Sequence, residues 1–78
     1  MTIQEKADEL RGKFGKSSIN QVEHTLVIWE YKKLIRSQEM IAYQNNKHKY
    51  QTAKNGYNIS KRTLKYWNGV KALLKKTL

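Results

Sequence analysis

The sequence predicts an all-α protein, a compact bundle of three to four helices that forms a single domain over residues 1–78. Three observations favour this class. The chain contains no proline, so no residue of that kind interrupts a long helix. Its apolar residues recur at helical spacing in several segments. A chain of 78 residues is long enough for one domain only. Because there is no cysteine, we expect stability to come from helix packing, with a homodimer as an open alternative source.

The first predicted helix runs from Ile3 to about Phe14. Thr2 and Glu5 stand at the spacing of a capping box, in which the two side chains satisfy each other's free backbone N–H groups. Gly15 is a residue type at which helices commonly end. We therefore expect a short amphipathic helix with its apolar side facing the rest of the domain.

The second predicted helix begins after Ser17 or Ser18 and contains the most apolar stretch of the chain, which we place at the centre of the core. A strand over residues 24–31 is the alternative, since β-branched and aromatic residues favour strands. Helical spacing on both sides favours the helix. The apolar positions are Ile19, Val22, Leu26, Val27, Ile28, Trp29, Tyr31, Leu34 and Ile35. Beyond them, either one helix runs from Ile19 to Asn55 or two helices meet near Ser37, and we prefer the second arrangement.

The last part of the chain carries a turn signal followed by one more predicted helix. Asn55-Gly56-Tyr57-Asn58 is typical of a turn. Ser60 is placed to cap a final helix, whose apolar side holds Leu64, Trp67, Val70, Leu74 and Leu78. Asn68-Gly69 leaves two structures open: a kink or end of that helix, or a two-residue turn that makes a short C-terminal wing hairpin.

Charge is the strongest indication of function. The chain has 16 Lys and Arg residues against 6 Asp and Glu residues, a net charge of +10. Residues 1–24 hold four residues of each sign, so the excess lies entirely in residues 25–78. There the only acids are Glu30 and Glu39. A polyanion relieves the resulting self-repulsion and releases its own counterions, so we expect a nucleic-acid partner. A basic surface kept only for solubility is the alternative.

Residues 50–69 fit the requirements of a helix-turn-helix, in which two helices pack at a steep angle across a tight turn. Such a motif needs a small residue in its first helix, a residue tolerant of positive φ in the turn, and apolar anchors in its second helix. Ala53, Asn58, Ile59, Leu64 and Trp67 occupy these positions.

The stretch that follows resembles a known recognition helix. The residues Ile59-Ser60-Lys61-Arg62-Thr63-Leu64-Lys65-Tyr66-Trp67 are similar to that helix in MerR-type regulators and related phage and plasmid excisionases of the helix-turn-helix superfamily. The motif lies near the C-terminus here, Asn58 replaces the usual turn glycine, and no full wing or effector domain follows. A second alignment matches Asn55-Gly56-Tyr57 to the tip of the wing.

The resemblance implies a role for each polar residue of this region. Helix starts direct side chains and free amides at a duplex. Ser60 and Thr63 are then expected to contact phosphate, and Tyr66 a base edge or phosphate. Lys61, Arg62 and Lys65 are expected to face the major groove, with Arg62 on a guanine edge. The residues expected to hold backbone phosphates are Lys47, Lys49 and Lys54.

No pattern in the sequence indicates catalysis, so we expect neither an enzyme nor a cofactor or metal. His24 and His48 have no recognisable ligand or triad partner. No apolar run is long enough for a bilayer, and the N-terminal residues lack the order of a signal peptide, so we expect a cytoplasmic protein without a membrane partner.

Three functions remain open. The first is a DNA-binding protein, a transcription regulator or recombination accessory factor of phage or plasmid type that binds double-stranded DNA as a dimer. The second is a helical interaction protein or inhibitor that docks its basic face on an acidic protein partner. The third is an RNA-binding or ribosome-associated protein.

Overall fold

A computed structural model describes all 78 residues as an elongated helical hairpin with a short helix packed at its open end. Helix α1 spans Ile3–Phe14, a single 3-10 turn spans Gly15–Ser17, α2 spans Ser18–Ala42 and α3 spans Lys47–Thr77. There is no strand. None of the helices combines the length and the apolar character that crossing a membrane requires.

The bounds of α1 and the start of α2 are confirmed. The Thr2 hydroxyl accepts a hydrogen bond from the Glu5 backbone N–H at 3.1 Å, and a Glu5 carboxylate oxygen accepts one from the Thr2 N–H at 3.1 Å. Hydrogen bonding to the side chain of Thr2, and then to its backbone, lowers the pKa of Glu5. Gly15 ends the helix with φ of +54°, a region that residues with a Cβ rarely adopt.

The buried Ser18 fixes the corner between α1 and α2. Its hydroxyl lies 3.0 Å from the Leu10 carbonyl oxygen and 2.6 Å from that of Gly15. The Leu10 carbonyl belongs to the last turns of α1, and Gly15 begins the 3-10 turn that follows this helix. The serine side chain therefore ties the start of α2 to the end of α1.

The apolar core is confined to the end of the hairpin that α1 covers. It consists of Ala7, Leu10, Val22, Leu26, Leu64, Val70 and Leu74, with Ile19, Trp29, Tyr66, Trp67 and Leu73 packed around it. Towards the loop end of the hairpin, the only buried residues of α3 are the small Ala53 and Ser60. The two long helices thus approach each other closely there without enclosing large side chains.

The predicted compact bundle of three to four helices is wrong. The molecule measures 48 × 19 × 17 Å, and its radius of gyration is 15.4 Å, against about 11.5 Å for a compact domain of this length. Two helical arms account for this shape. One covers residues 3–42, broken only by the 3-10 turn, and the other is α3.

The predicted helix-turn-helix and C-terminal wing are also absent, because Asn55-Gly56-Tyr57-Asn58 and Asn68-Gly69 lie inside α3. Each glycine leaves room for a side chain of a neighbouring helix instead of forming a turn. A Cβ on Gly56 would lie 2.5 Å from the Arg36 Nε, and a Cβ on Gly69 would lie 2.6 Å from the Ile3 Cδ1. Tertiary contacts to α2 and α1 have thus overridden the local turn preference of Asn-Gly pairs.

The connection between α2 and α3 falls at neither predicted place. Helix α2 passes through Ser37 and ends at Ala42, and Asn46 caps α3 by accepting a hydrogen bond from the Lys49 N–H at 3.1 Å. Asparagine is a preferred residue at helix starts. The break near Ser37 and the single helix from Ile19 to Asn55 are therefore both wrong.

The prediction that places α2 at the centre of the core is correct only for one side of this helix. Val22 and Leu26 are buried, but Val27, Tyr31 and Leu34 are exposed. A single neighbouring helix covers only one side of α2 over most of its length, so the wider apolar stripe seen in the sequence has no partner within the chain.

Two glycines, one inside α1 and one directly after it, give a test of this backbone. We expect Gly12→Ala to raise the free energy of unfolding by about 0.5–1 kcal/mol, because a Cβ there meets no atom within 4 Å and alanine is the better helix former. Gly15→Ala should lower it by about 1–3 kcal/mol, because positive φ is strained for alanine. Urea denaturation followed by circular dichroism measures both. Equal effects of the two substitutions would contradict the α1 boundary.

Candidate nucleic-acid interface

Five cations of α3 lie on one exposed side of the helix. They fall within an arc of about 100° around the helix axis. Positions 18 residues apart coincide after five complete turns, and positions seven or eight residues apart nearly coincide after two. The five cations are Lys47, Lys54, Lys61, Arg62 and Lys65. All five are exposed. The buried residues Ala53, Ser60 and Leu64 occupy the side that faces α2. We call these five cations the basic face.

The charge of the basic face is uncompensated. None of its five residues takes part in an ion pair, since the ion pairs of the chain involve Lys6, Arg11, Lys13, Arg36 and Lys71. No acidic residue follows Glu39 in the chain. Exposed like charges along one helix raise the local positive potential, and that potential attracts anions to this side of the molecule.

A row of amides lies beside the lysines. Gln51, Asn55 and Asn58 share an arc of about 60° with Arg62, and all four are exposed. The Gln51 Nε2 donates a hydrogen bond to the Asn55 Oδ1 at 2.9 Å. Asn55, Asn58 and Arg62 also line a shallow surface groove with Ile59 and Lys61. This side of α3 therefore combines positive charge with groups that donate and accept hydrogen bonds.

Sequence reasoning missed these amides as site residues because it assigned Asn55 and Asn58 to a turn. The signal that identifies them is their spacing. Gln51, Asn55, Asn58 and Arg62 follow one another at intervals of four, three and four residues, which is the repeat of one helical face.

An aromatic ring links the basic face to α2. The Nζ of Lys61 lies 5.6 Å from the centre of the Tyr57 ring, and the Nζ of Lys33 lies 6.0 Å from it. Such cation–π contacts orient ammonium groups without removing their charge. Lys49 lies elsewhere, at the loop end, where its Nζ is 5.0 Å from the centre of the Tyr43 ring.

Three of the predicted site residues are engaged within the fold. The Ser60 side chain is buried and its hydroxyl donates to the Gly56 carbonyl at 2.9 Å. The Thr63 hydroxyl donates to the Ile59 carbonyl at 2.8 Å. The Tyr66 hydroxyl is 3.4 Å from the Thr2 carbonyl oxygen. Ser60 does not begin a helix, and its position around α3, like those of Thr63 and Tyr66, falls outside the arc of the basic face.

The structure contains no group of three or more His, Cys, Asp or Glu residues that is placed to bind a metal. No family model matches the chain, and neither a curated protein nor a solved structure shows significant similarity to it. The function of this protein is therefore inferred from the geometry of the basic face.

The basic face predicts a specific dependence of binding on salt. We expect Lys54→Gln combined with Lys65→Gln to reduce the slope of log K against log salt by about 2, since each phosphate neutralised contributes about 0.9 to the slope. Neither lysine makes an ion pair, so the fold should be unaffected. Fluorescence anisotropy with a labelled duplex at several salt concentrations measures the slope.

The matched control is Lys13→Gln combined with Lys16→Gln, which removes the same charge from exposed positions near the end of α1. Glu9, the ion-pair partner of Lys13, keeps its shorter contact with Lys6 at 3.1 Å. This pair should leave the slope within error of the unmodified chain. Equal losses in both double variants would show that total charge, and not the basic face, determines the binding.

Proposed function

We propose that this protein binds double-stranded DNA and that the outward side of α3 enters the major groove. The observation that carries the proposal is the basic face, five exposed cations on one helix with no acid beside them. Polyanion binding of this kind gains free energy from the release of condensed counterions. The proposal does not involve a helix-turn-helix, since α3 is one continuous helix.

The dimensions of α3 suit this partner. Lys47 and Lys65 are 18 residues apart, which is about 27 Å along a helix axis. The major groove of B-form DNA is about 12 Å wide and admits an α-helix. Continuous basic helices are one established way of entering it. The major groove of A-form RNA is too deep and narrow for side chains to read, so the same surface favours DNA.

The two rows of side chains are assigned different contacts with the DNA. Lys54, Lys61 and Lys65 lie along one edge of the face and are assigned to phosphates of one strand. Asn55, Asn58 and Arg62 lie along the other edge and are assigned to base edges. Asparagine pairs with adenine, and arginine pairs with guanine, through two hydrogen bonds each. Phosphate contacts then position the helix and the second row supplies sequence preference.

The absence of an apolar anchor among these residues favours a nucleic acid over an acidic protein. Protein interfaces concentrate their affinity in buried aromatic or aliphatic residues near the centre of the contact. The five residues of the basic face and the amides beside them form a polar row, with Ile59 at its margin.

A titration with duplexes of random and defined sequence, at low and at near-physiological salt, tests the proposal. We expect uptake of DNA that weakens steeply with salt and that is stronger than uptake of an RNA duplex. The absence of any DNA binding at low salt would contradict the proposal. Binding of an acidic protein instead of DNA would make the basic face a docking surface for a protein partner.

Substitution of Arg62 tests the assignment of base contacts. Once a preferred site has been selected, Arg62→Ala should weaken binding to it by about 1–3 kcal/mol and relax the preference at one base pair. The control is Lys54→Ala, which should weaken binding to preferred and random duplexes by the same factor. An Arg62 variant that keeps its full sequence preference would remove this residue from the base-reading role.

A further inference from the structure

Helix α2 carries a row of exposed apolar residues on the side turned away from α3. Val27 is 66% exposed, Tyr31 64%, Leu34 53% and Ile41 69%. These positions repeat every three or four residues, with the polar Gln38 completing the repeat. This is the heptad spacing by which two helices pack side chains into each other's gaps. Ile28 and Ile35 extend the row along one edge. We call these six apolar residues the α2 seam.

The molecule has a larger accessible surface than a compact monomer of the same mass. Its accessible surface is 5630 Å², whereas a compact monomer of 9.2 kDa exposes about 4,900 Å². The excess is close to the ~800 Å² that each partner contributes to a standard stable interface. Only 10 of the 78 residues are buried, so a second molecule would add substantially to a small core.

We infer that the α2 seam is the interface of a homodimer in which the α2 helices of two copies pack antiparallel about a two-fold axis between Lys32 and Lys33. A two-fold axis there places Tyr31 of each copy beside Leu34 of the other and Val27 beside Gln38. By the same spacing Ile41 lies beside His24 of the other copy. The apolar centre of the seam, Tyr31 and Leu34, thus packs against its own copy, as a two-fold interface requires.

The edges of the seam favour the antiparallel direction. In that arrangement the edge formed by Ile28 and Ile35 meets the same apolar edge of the second copy. The opposite edge contains Glu23 and Glu30, and there Glu30 faces Ser37 of the second copy. A parallel pair would instead set each glutamate edge against an isoleucine edge. Antiparallel packing keeps the carboxylates in water and the isoleucines together. Glu23 pairs with Lys71 at 3.4 Å, so the cost that is avoided is that of burying the charge of Glu30.

The positive charge of the chain does not oppose this contact strongly. The cations of α2 are directed away from the seam: the Nζ of Lys32 lies 4.3 Å from the centre of the Trp29 ring, and Arg36 pairs with Glu39 at 3.0 Å. The basic face belongs to α3, on the far side of the hairpin. The basic faces of the two copies are therefore separated by the width of both α2 helices, beyond the roughly 8 Å range of unscreened charge at physiological salt.

Sedimentation equilibrium of the full chain without nucleic acid tests this inference independently of the proposed function. We expect a reversible dimer, and we expect Leu34→Gln to raise its dissociation constant at least about tenfold, because the substitution acts twice at the centre of the interface. The control is Phe14→Gln, which replaces an apolar side chain that is 42% exposed at the end of α1. It should leave the dimer unchanged, and circular dichroism should show equal helix content in both variants.

The direction of the helices is measured with a spin label at Asn20→Cys. This position is exposed, lies on the seam side of α2 seven residues before Val27 and hence beyond the N-terminal end of the seam, and provides the only thiol in the chain. The antiparallel dimer places the two labels about 38 Å apart along the axis, and a parallel one brings them to about 10 Å. A chain that stays monomeric at high concentration, or a dimer insensitive to Leu34→Gln, would overturn the interface. A short distance between the labels would overturn its direction.

Discussion

The fold depends on one apolar contact, in which the C-terminal half of α3 packs into the corner between α1 and α2. Val70 and Leu74 of α3 and Val22 of α2 have no exposed surface at all. Each such side chain contributes about 1.5–3 kcal/mol by leaving water, a large share of the stability of a small domain. Because this contact is at one end, the rest of the hairpin extends from it as two long helices with little core between them.

Glycine and other small residues make that extension feasible. Gly56, Ala53 and Ser60 present little side chain to α2, so the two helices remain close where no large apolar residues are available. Gly69 has the same role against α1. In each case a helix tolerates the poorer propensity of glycine, which costs about 1 kcal/mol relative to alanine, because the neighbouring element gains contact.

This use of glycine also explains which parts of the fold were predictable from the sequence. The capping pattern at Thr2 and the stop at Gly15 are local signals with local effects, and they were predicted correctly. The structure at the two Asn-Gly pairs is not predictable in this way. A glycine required for positive φ and a glycine required for close packing look the same in a sequence. Only the contact with Arg36 or Ile3 distinguishes the two, and that contact is a property of the tertiary structure.

The same distinction between local and tertiary signals applies to the residues of the candidate site. The lysines and Arg62 share a face because seven- and eight-residue intervals return to one side of any helix, whether or not a turn precedes it. The roles given to Ser60, Thr63 and Tyr66 required a helix that starts at Ser60, so the absence of that helix start removes the geometric basis for them. The amides Asn55 and Asn58 join the face for the converse reason, since they are helical and not part of a turn.

The hairpin separates two kinds of surface, and this separation has a consequence for how the proposed activities combine. The basic face is on the outer side of α3 and the α2 seam is on the outer side of α2. In an antiparallel dimer the helices are therefore layered as α3, α2, α2 and α3, and the two basic faces point in opposite directions. Dimeric proteins that read two half-sites of one duplex present both recognition helices to the same side of the DNA, about 34 Å apart. Faces directed apart cannot do this, so a dimer of this kind would hold two DNA segments side by side, and its preferred site would have no two-fold symmetry.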